Sequence, residues 1–169
     1  KAAPSEKDGI IALNTLLAQD GFVLYVPKGV VVEKPVQLIN VLRSDVDTMA
    51  NRRVLVILEE DSQAKLLVCE HTMDPKNFLS TEVVEIFAAE RSHFDYYNLE
   101  ESNPTTARFS SLHVKLEAQA NVLVNGISLN NGISRNNYYV ELLGEYAEAT
   151  LCGMAIIDQE QKVDTYSHV

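Results

Sequence analysis

The sequence predicts an all-β chain wound as a parallel β-helix, or β-solenoid, behind one short N-terminal helix. Three observations predict it. From Phe22 onward the hydrophobic spacing has a period of two, and short runs rich in Val, Ile, Leu and Tyr follow one another between turn residues. A turn-plus-strand unit also recurs, weakly, in Ser62-Gln63-Ala64-Lys65-Leu66, Ser92-His93-Phe94-Asp95-Tyr96, Ala118-Gln119-Ala120-Asn121-Val122 and Glu145-Tyr146-Ala147-Glu148-Ala149, at a spacing of roughly 26 to 30 residues. A unit of that size holds about two or three short strands and their corners, the content of one turn of a β-helix. A sandwich or a barrel needs no fixed period.

The elements follow in order. Residues 1–7 are a polar lead-in. Asp8 caps a short helix whose apolar positions Ile10, Ile11, Leu13, Leu16 and Leu17 fall on one side, and Gly21 closes it. Strand-like runs occupy 22–26, 30–32, 36–42, 53–58, 64–70, 82–88, 93–99, 107–116, 120–129, 136–143, 147–157 and 162–168. The chain thus divides into 1–21, lead-in and helix, and 22–169, the β-helix core. In the run 147–157, Ala147, Ala149, Leu151, Gly153, Ala155 and Ile157 share one face, and small inward residues suit a narrow stacked interior. Asn125-Gly126 and Asn131-Gly132 read as turns within an Asn-rich stretch that also admits stacked amides. The start at Lys1-Ala2-Ala3-Pro4, without Met, and the stop at Val169 within a strand-like run suggest a core cut at both ends.

Composition narrows the function. With 46% hydrophobic and 22% charged residues the chain is globular. A formal net charge of −10 disfavours nucleic acid and anionic membrane surfaces, which call for clustered Lys and Arg, and no long apolar run marks a signal peptide or a membrane span. Two cysteines without CxxC spacing, Cys69 and Cys152, fit a reducing cytoplasm.

Few residues suggest chemistry. Cys69-Glu70-His71 puts two metal-ligating types on one strand face about 7 Å apart, but two ligands do not make a site, and a small packed Cys beside a strand-end His reads as structure. Cys152 stands alone on its strand. Glu59, Glu60 and Asp61 are adjacent at a turn and do not converge from successive turns as a glycosidic acid pair would. Asp164 and His168 share a face at a solvated edge. The seven glycines form neither GxxxxGK nor GxGxxG, and no Gly-x-Ser-x-Gly elbow or evident nucleophile partner for His71, His93 or His113 exists. No catalytic, cofactor-binding or metal-binding residue is assigned.

Ala12-Leu13-Asn14, Asp20-Gly21, Tyr25-Val26-Pro27-Lys28-Gly29-Val30 and Glu33-Lys34-Pro35-Val36 resemble the entry to the SufB/SufD scaffold proteins of iron-sulfur cluster assembly. The likeness continues through Asn51-Arg52-Arg53, Thr81-Glu82-Val83-Val84-Glu85-Ile86-Phe87, His93-Phe94-Asp95-Tyr96-Tyr97, Arg135-Asn136-Asn137 and Val163-Asp164, nearly the whole chain. Asp95-Tyr96-Tyr97, Arg135-Asn136-Asn137 and Leu142-Leu143-Gly144-Glu145 are closer to SufD. So is Cys69-Glu70-His71-Thr72, which stands where SufB-like chains tend to carry Gly-Cys-Thr.

The resemblance implies a right-handed parallel β-helix and a non-catalytic scaffold that works with SufB and the ATPase SufC in cluster assembly or iron acquisition. It implies no cofactor in this segment, although the wider complex handles clusters and ATP. It places the SufC-contacting helices and the SufB interface beyond Val169, so no family site transfers to a residue here. A terminal rung at Lys162 to His168 would be covered by SufB or further chain, or by a second copy in a homodimer. Two alternatives share the architecture: a pectin-lyase-type carbohydrate enzyme and a purely self-assembling solenoid.

Overall fold

A single side chain starts the first element. In the computed structural model, which describes Ala3 and residues 8–169, Asp8 Oδ1 accepts from the backbone N–H of Ile10 (2.8 Å) and Ile11 (3.1 Å) and caps α1, Gly9–Leu17. Ala3 apart, the lead-in over 1–7 lies outside the described residues. The helix differs from expectation on two counts. It ends at Leu17 because Ala18 turns extended, so Gly21 is no helix stop; it lies in the first strand, where its missing side chain leaves room for the Arg53 carbonyl. Of the expected apolar side, Ile11 is buried, Ile10, Leu13 and Leu17 are half-buried and Leu16 stays 80% exposed, and the polar Asn14 is buried beside Ile11. The sheet surface beneath is mixed: Ile11 packs with Val83 and Ala3, while Asn14 Nδ2 donates to the carbonyls of Arg52 and Thr81 (both 3.1 Å) and to Thr81 Oγ1 (2.9 Å).

Eleven strands follow among the described residues: β1 Asp20–Val26, β2 Val36–Leu42, β3 Thr48–Leu58, β4 Gln63–Thr72, β5 Phe78–Ala88, β6 His93–Glu101, β7 Thr106–Leu116, β8 Asn121–Asn130, β9 Ile133–Leu142, β10 Glu148–Ala155 and β11 Lys162–His168. Odd strands form one sheet in the order β1-β3-β5-β7-β9-β11 and even strands a second in the order β10-β8-β6-β4-β2, every neighbouring pair parallel. Each turn of chain gives one strand to each sheet, which is the expected β-solenoid.

The expected run at 30–32 is not a strand. Pro27 and Gly29, at φ +70°, precede it and Pro35 follows it, and only one parallel bridge, Val31 to Gln63, forms there. Asn125-Gly126 is no turn either. It lies in mid-β8 with Gly126 under the Tyr138 hydroxyl, where a Cβ would collide, whereas Asn131-Gly132 does link β8 to β9.

The sequence repeat has a structural counterpart. Asp61, Arg91, Gln119 and Tyr146 take φ between 58° and 61° at one corner of successive turns. These corners stack through Asp61 N–H to Glu90 C=O (3.1 Å), Arg91 N–H to Ala118 C=O (3.0 Å) and Gln119 N–H to Glu145 C=O (2.9 Å), while the Ser62 and Ser92 hydroxyls close their turns onto Glu59 and Ala89. Next to that corner the interior is apolar, with Leu58, Ala88 and Leu116 in one sheet and Ala64, Phe94 and Val122 in the other.

Candidate functional site

The opposite side of the interior is charged. In-register pairing stacks inward side chains into columns, one of which runs Asp20, Arg52, Glu82, Ser110, Asn136, Thr165 from β1 to β11. Beside it runs Ser80, Arg108, Ser134, and facing it from the even strands runs Asn40, Glu70, Glu100, Ser128. The result is a polar lane along the solenoid axis.

Glu82 is its hub. One oxygen accepts from Arg52 Nη2 (2.9 Å) and Nε (3.2 Å), the other from Arg108 Nη2 (3.0 Å) and Asn98 Nδ2 (3.3 Å). Arg52 Nη2 also reaches Glu70 Oε2 (2.7 Å), which accepts from Ser80, and Arg108 Nη1 reaches Asn136 Oδ1 (3.0 Å). Glu100 takes hydroxyl donors alone: Ser102 at 3.2 Å, Ser128 at 2.9 Å and Ser134. All three glutamates and Arg108 are essentially sealed from water.

Burial opposes charge on every one of these groups, and the pairing decides the outcome. For Glu82, desolvation pushes the carboxyl up, but Arg52 and Arg108 outweigh it and hold it below the usual range. Arg52 and Arg108 are likewise resisted by burial and driven above their ordinary value by the glutamates around them. The consequence for pH has a definite sign. Glu82, depressed in the fold, lends stability above its unfolded value of about 4.3 and loses it as pH falls through its folded value. The unfolding midpoint in urea is therefore expected to drop steeply below about pH 4, and Glu82→Gln should flatten that acid limb.

His113 carries a second, weaker pH dependence. It lies on the outer face of β7, buried, stacked on Tyr139 at 4.7 Å, with no hydrogen-bond partner for its Nε2 among the described residues. Burial lowers its pKa, against Glu85, Asp8 and Glu141, which raise it. A neutral buried histidine gives stability that is full above the unfolded value of about 6.5 and shrinks as pH falls through it.

The residues singled out from sequence are not brought together. Cys69 and His71 do share the outer face of β4, but Cys69 packs against Gln37 and His71 pairs with Glu101 (3.2 Å). Cys152 is on β10, three strands away, or about 14 Å. Glu59, Glu60 and Asp61 are tied to Tyr25, Lys28 and Arg91 at the surface, and Asp164 to Arg135. Among the described residues no group of three or more His, Cys, Asp or Glu is placed to hold a metal ion, and no helix is long and apolar enough to cross a membrane. Anaerobic incubation with iron and sulfide is expected to leave no stoichiometric absorbing cluster on this chain; one that vanished in a Cys69→Ser variant would refute that expectation.

Apolar alternation alone does not reveal the buried lane, because it marks the apolar half of each strand and leaves the polar inward positions unassigned. The available signal was Arg52, Glu82 and Arg108, which recur near the repeat spacing on inward positions.

A family model described as SUF system FeS cluster assembly, SufBD core domain, matches residues 40–169, and one described as SufBD protein N-terminal region matches residues 1–38. The chain belongs to the SufB/SufD family. It is also similar to "Protein ABCI7, chloroplastic" of Arabidopsis thaliana, 24% identical over 165 residues that cover 94% of this chain and 35% of that protein. This SufB/SufD chain thus spans about a third of the length of that relative.

Proposed function

We propose that this chain is part of a non-catalytic, SufD-like scaffold subunit of the SUF iron-sulfur assembly complex, acting with a SufB-like protein and the ATPase SufC in cluster assembly or iron acquisition. The observation that carries the reading is the family match across 1–38 and 40–169. The geometry supports it: the buried carboxylates are committed to arginine or hydroxyl partners and are closed to substrate, unlike the reachable acid pair a glycosidase needs. Glu70 favours the SufD side, since it stands in the stretch where SufB-like chains tend to have Gly-Cys-Thr and is built into the interior network.

Among the described residues β10 and β11 are the last strands of their sheets. On this reading the SufB-like subunit covers that end in the complex, and a second copy can substitute in its absence. The two free cysteines suit a reducing compartment, the cytoplasm on this reading. The test is affinity capture with SufB-like and SufC proteins, using this chain and a longer version of the protein as baits. SufB-like capture by both, with SufC captured by the longer bait alone, is expected. SufC capture by this chain at the affinity of the longer protein would show the partner site to be misplaced, and failure of both baits to hold either protein would end the proposal.

A further inference from the structure

The charges buried in the lane do not balance. Among the described residues Arg52 pairs with Glu70 (2.7 Å) and Glu82 (2.9 Å), and Arg108 with Glu82 (3.0 Å) and Glu70 (3.5 Å). These contacts close a ring of two guanidiniums and two carboxylates that is neutral as a whole. Glu100 stands outside it. Its side chain is sealed from water, its partners are serine hydroxyls, and among the described residues no Lys, Arg or His forms an ion pair with it. An ionised carboxylate buried without a cation is costly, and retaining its proton is the usual way out.

The partners of Glu100 suit the neutral acid. Ser134 Oγ accepts from Asn131 Nδ2 (3.2 Å), so its own hydroxyl proton goes to Glu100 Oε1, which Ser102 also reaches (3.2 Å). Oε1 is then the carbonyl oxygen of the acid. Ser128 Oγ lies 2.9 Å from Oε2, and because a hydroxyl accepts as readily as it donates, this contact also serves an acid O–H donating to serine. Glu70 and Glu82 have no such freedom, since arginine only donates.

The other ionisable groups along this part of the lane do not replace the missing cation. Glu70, stacked on Glu100 in register from β4, adds a second carboxylate. Arg108 on β7 feels the charge of Glu100, but its guanidinium is committed to Glu70 and Glu82. Tyr96 on β6 and Tyr138 on β9 are both held in the neutral form, chiefly by burial.

We propose that Glu100 is kept as a neutral carboxylic acid in the folded chain, and that this interior proton makes the turns from β6 to β9 a pH-sensitive latch. Its loss leaves a bare carboxylate among Glu70, Ser102, Ser128 and Ser134, and the contacts joining β6, β8 and β9 there loosen. The sign is opposite to that of Glu82. In the unfolded chain Glu100 ionises above about 4.3. A proton held by the fold and released on unfolding therefore gives stability that is full below that value and shrinks as pH rises, by about tenfold in the folded-to-unfolded ratio per pH unit, until Glu100 ionises in the fold.

Infrared spectra of the native chain and of Glu100→Gln at pH 7 read the proton directly. The wild type should show the C=O stretch of a buried carboxylic acid, and Glu100→Gln should fold and lack it, because the amide can donate to Ser128 and accept from Ser134. Urea unfolding adds a second readout: between pH 6 and 7 the wild-type ratio should fall about tenfold relative to that of Glu100→Gln. A wild type without the band, a band that persists in Glu100→Gln, parallel pH profiles, or a Glu100→Gln chain that fails to fold would each overturn the proposal. Absence of the band together with stabilisation by sodium or potassium over a bulky organic cation would identify a metal cation, and not a proton, as the missing charge.

Discussion

Glu82→Leu is expected to lower the unfolding free energy by about 3–5 kcal/mol, the range for removing one partner of a buried ion pair. The carboxylate binds both Arg52 and Arg108, so its loss leaves two buried guanidiniums to share Glu70. The penalty is the stranded charge and not the lost attraction, which a second variant separates. Adding Arg52→Met to Glu82→Leu removes one of the stranded charges, and the double variant should recover part of the loss despite carrying more substitutions. Urea denaturation followed by circular dichroism measures both. A cost under about 1 kcal/mol for Glu82→Leu alone would mean that water reaches the lane and solvates the arginines.

Gly144→Ala is expected to be severely destabilising for a single added methyl. A Cβ there would overlap the backbone N and Cα of Ala118 in the corner one turn below, and no side-chain rotation relieves a clash with main chain. Corner stacking would have to open, at a cost at or above the usual 1–3 kcal/mol or so of overpacking. Gly153→Ala is the control: the nearest atom to its added methyl is the Gly126 carbonyl at 3.5 Å, an ordinary contact. Thermal melts of the two variants should separate clearly, and similar melting temperatures would show that the corners yield easily.

These two sites show what sequence reading reached and where it stopped. The corners were visible because the turns at Ser62, Ser92 and Ala120 recur in the chain, and the apolar half of each strand was visible because alternation marks it. The polar half was invisible for the same reason. β3, β5 and β9 begin at Thr48, Phe78 and Ile133, earlier than the expected 53, 82 and 136, and the residues missed include Arg52, Ser80 and Ser134, all inside the lane. Apolar alternation leaves such side chains unassigned; only their stacking onto Glu82 and Glu100 makes burial tolerable, and stacking is a property of the register between turns. Asn14 on α1 escaped similarly: a polar side chain joins the buried face because the surface below it offers carbonyls.

The lane also bears on how the molecule opens. In most solenoids each turn touches its neighbours alone, and unravelling can proceed one turn at a time from either end. Here Arg52, Glu70, Glu82, Arg108 and Asn136 join β3, β4, β5, β7 and β9 through shared ionic partners, so releasing one turn strands a charge in the next. Amide hydrogen exchange should therefore not grade smoothly along the axis. The amides of β3 through β9 should exchange as one cooperative block near the global unfolding energy, while β1, β2, β10 and β11 exchange earlier by local opening.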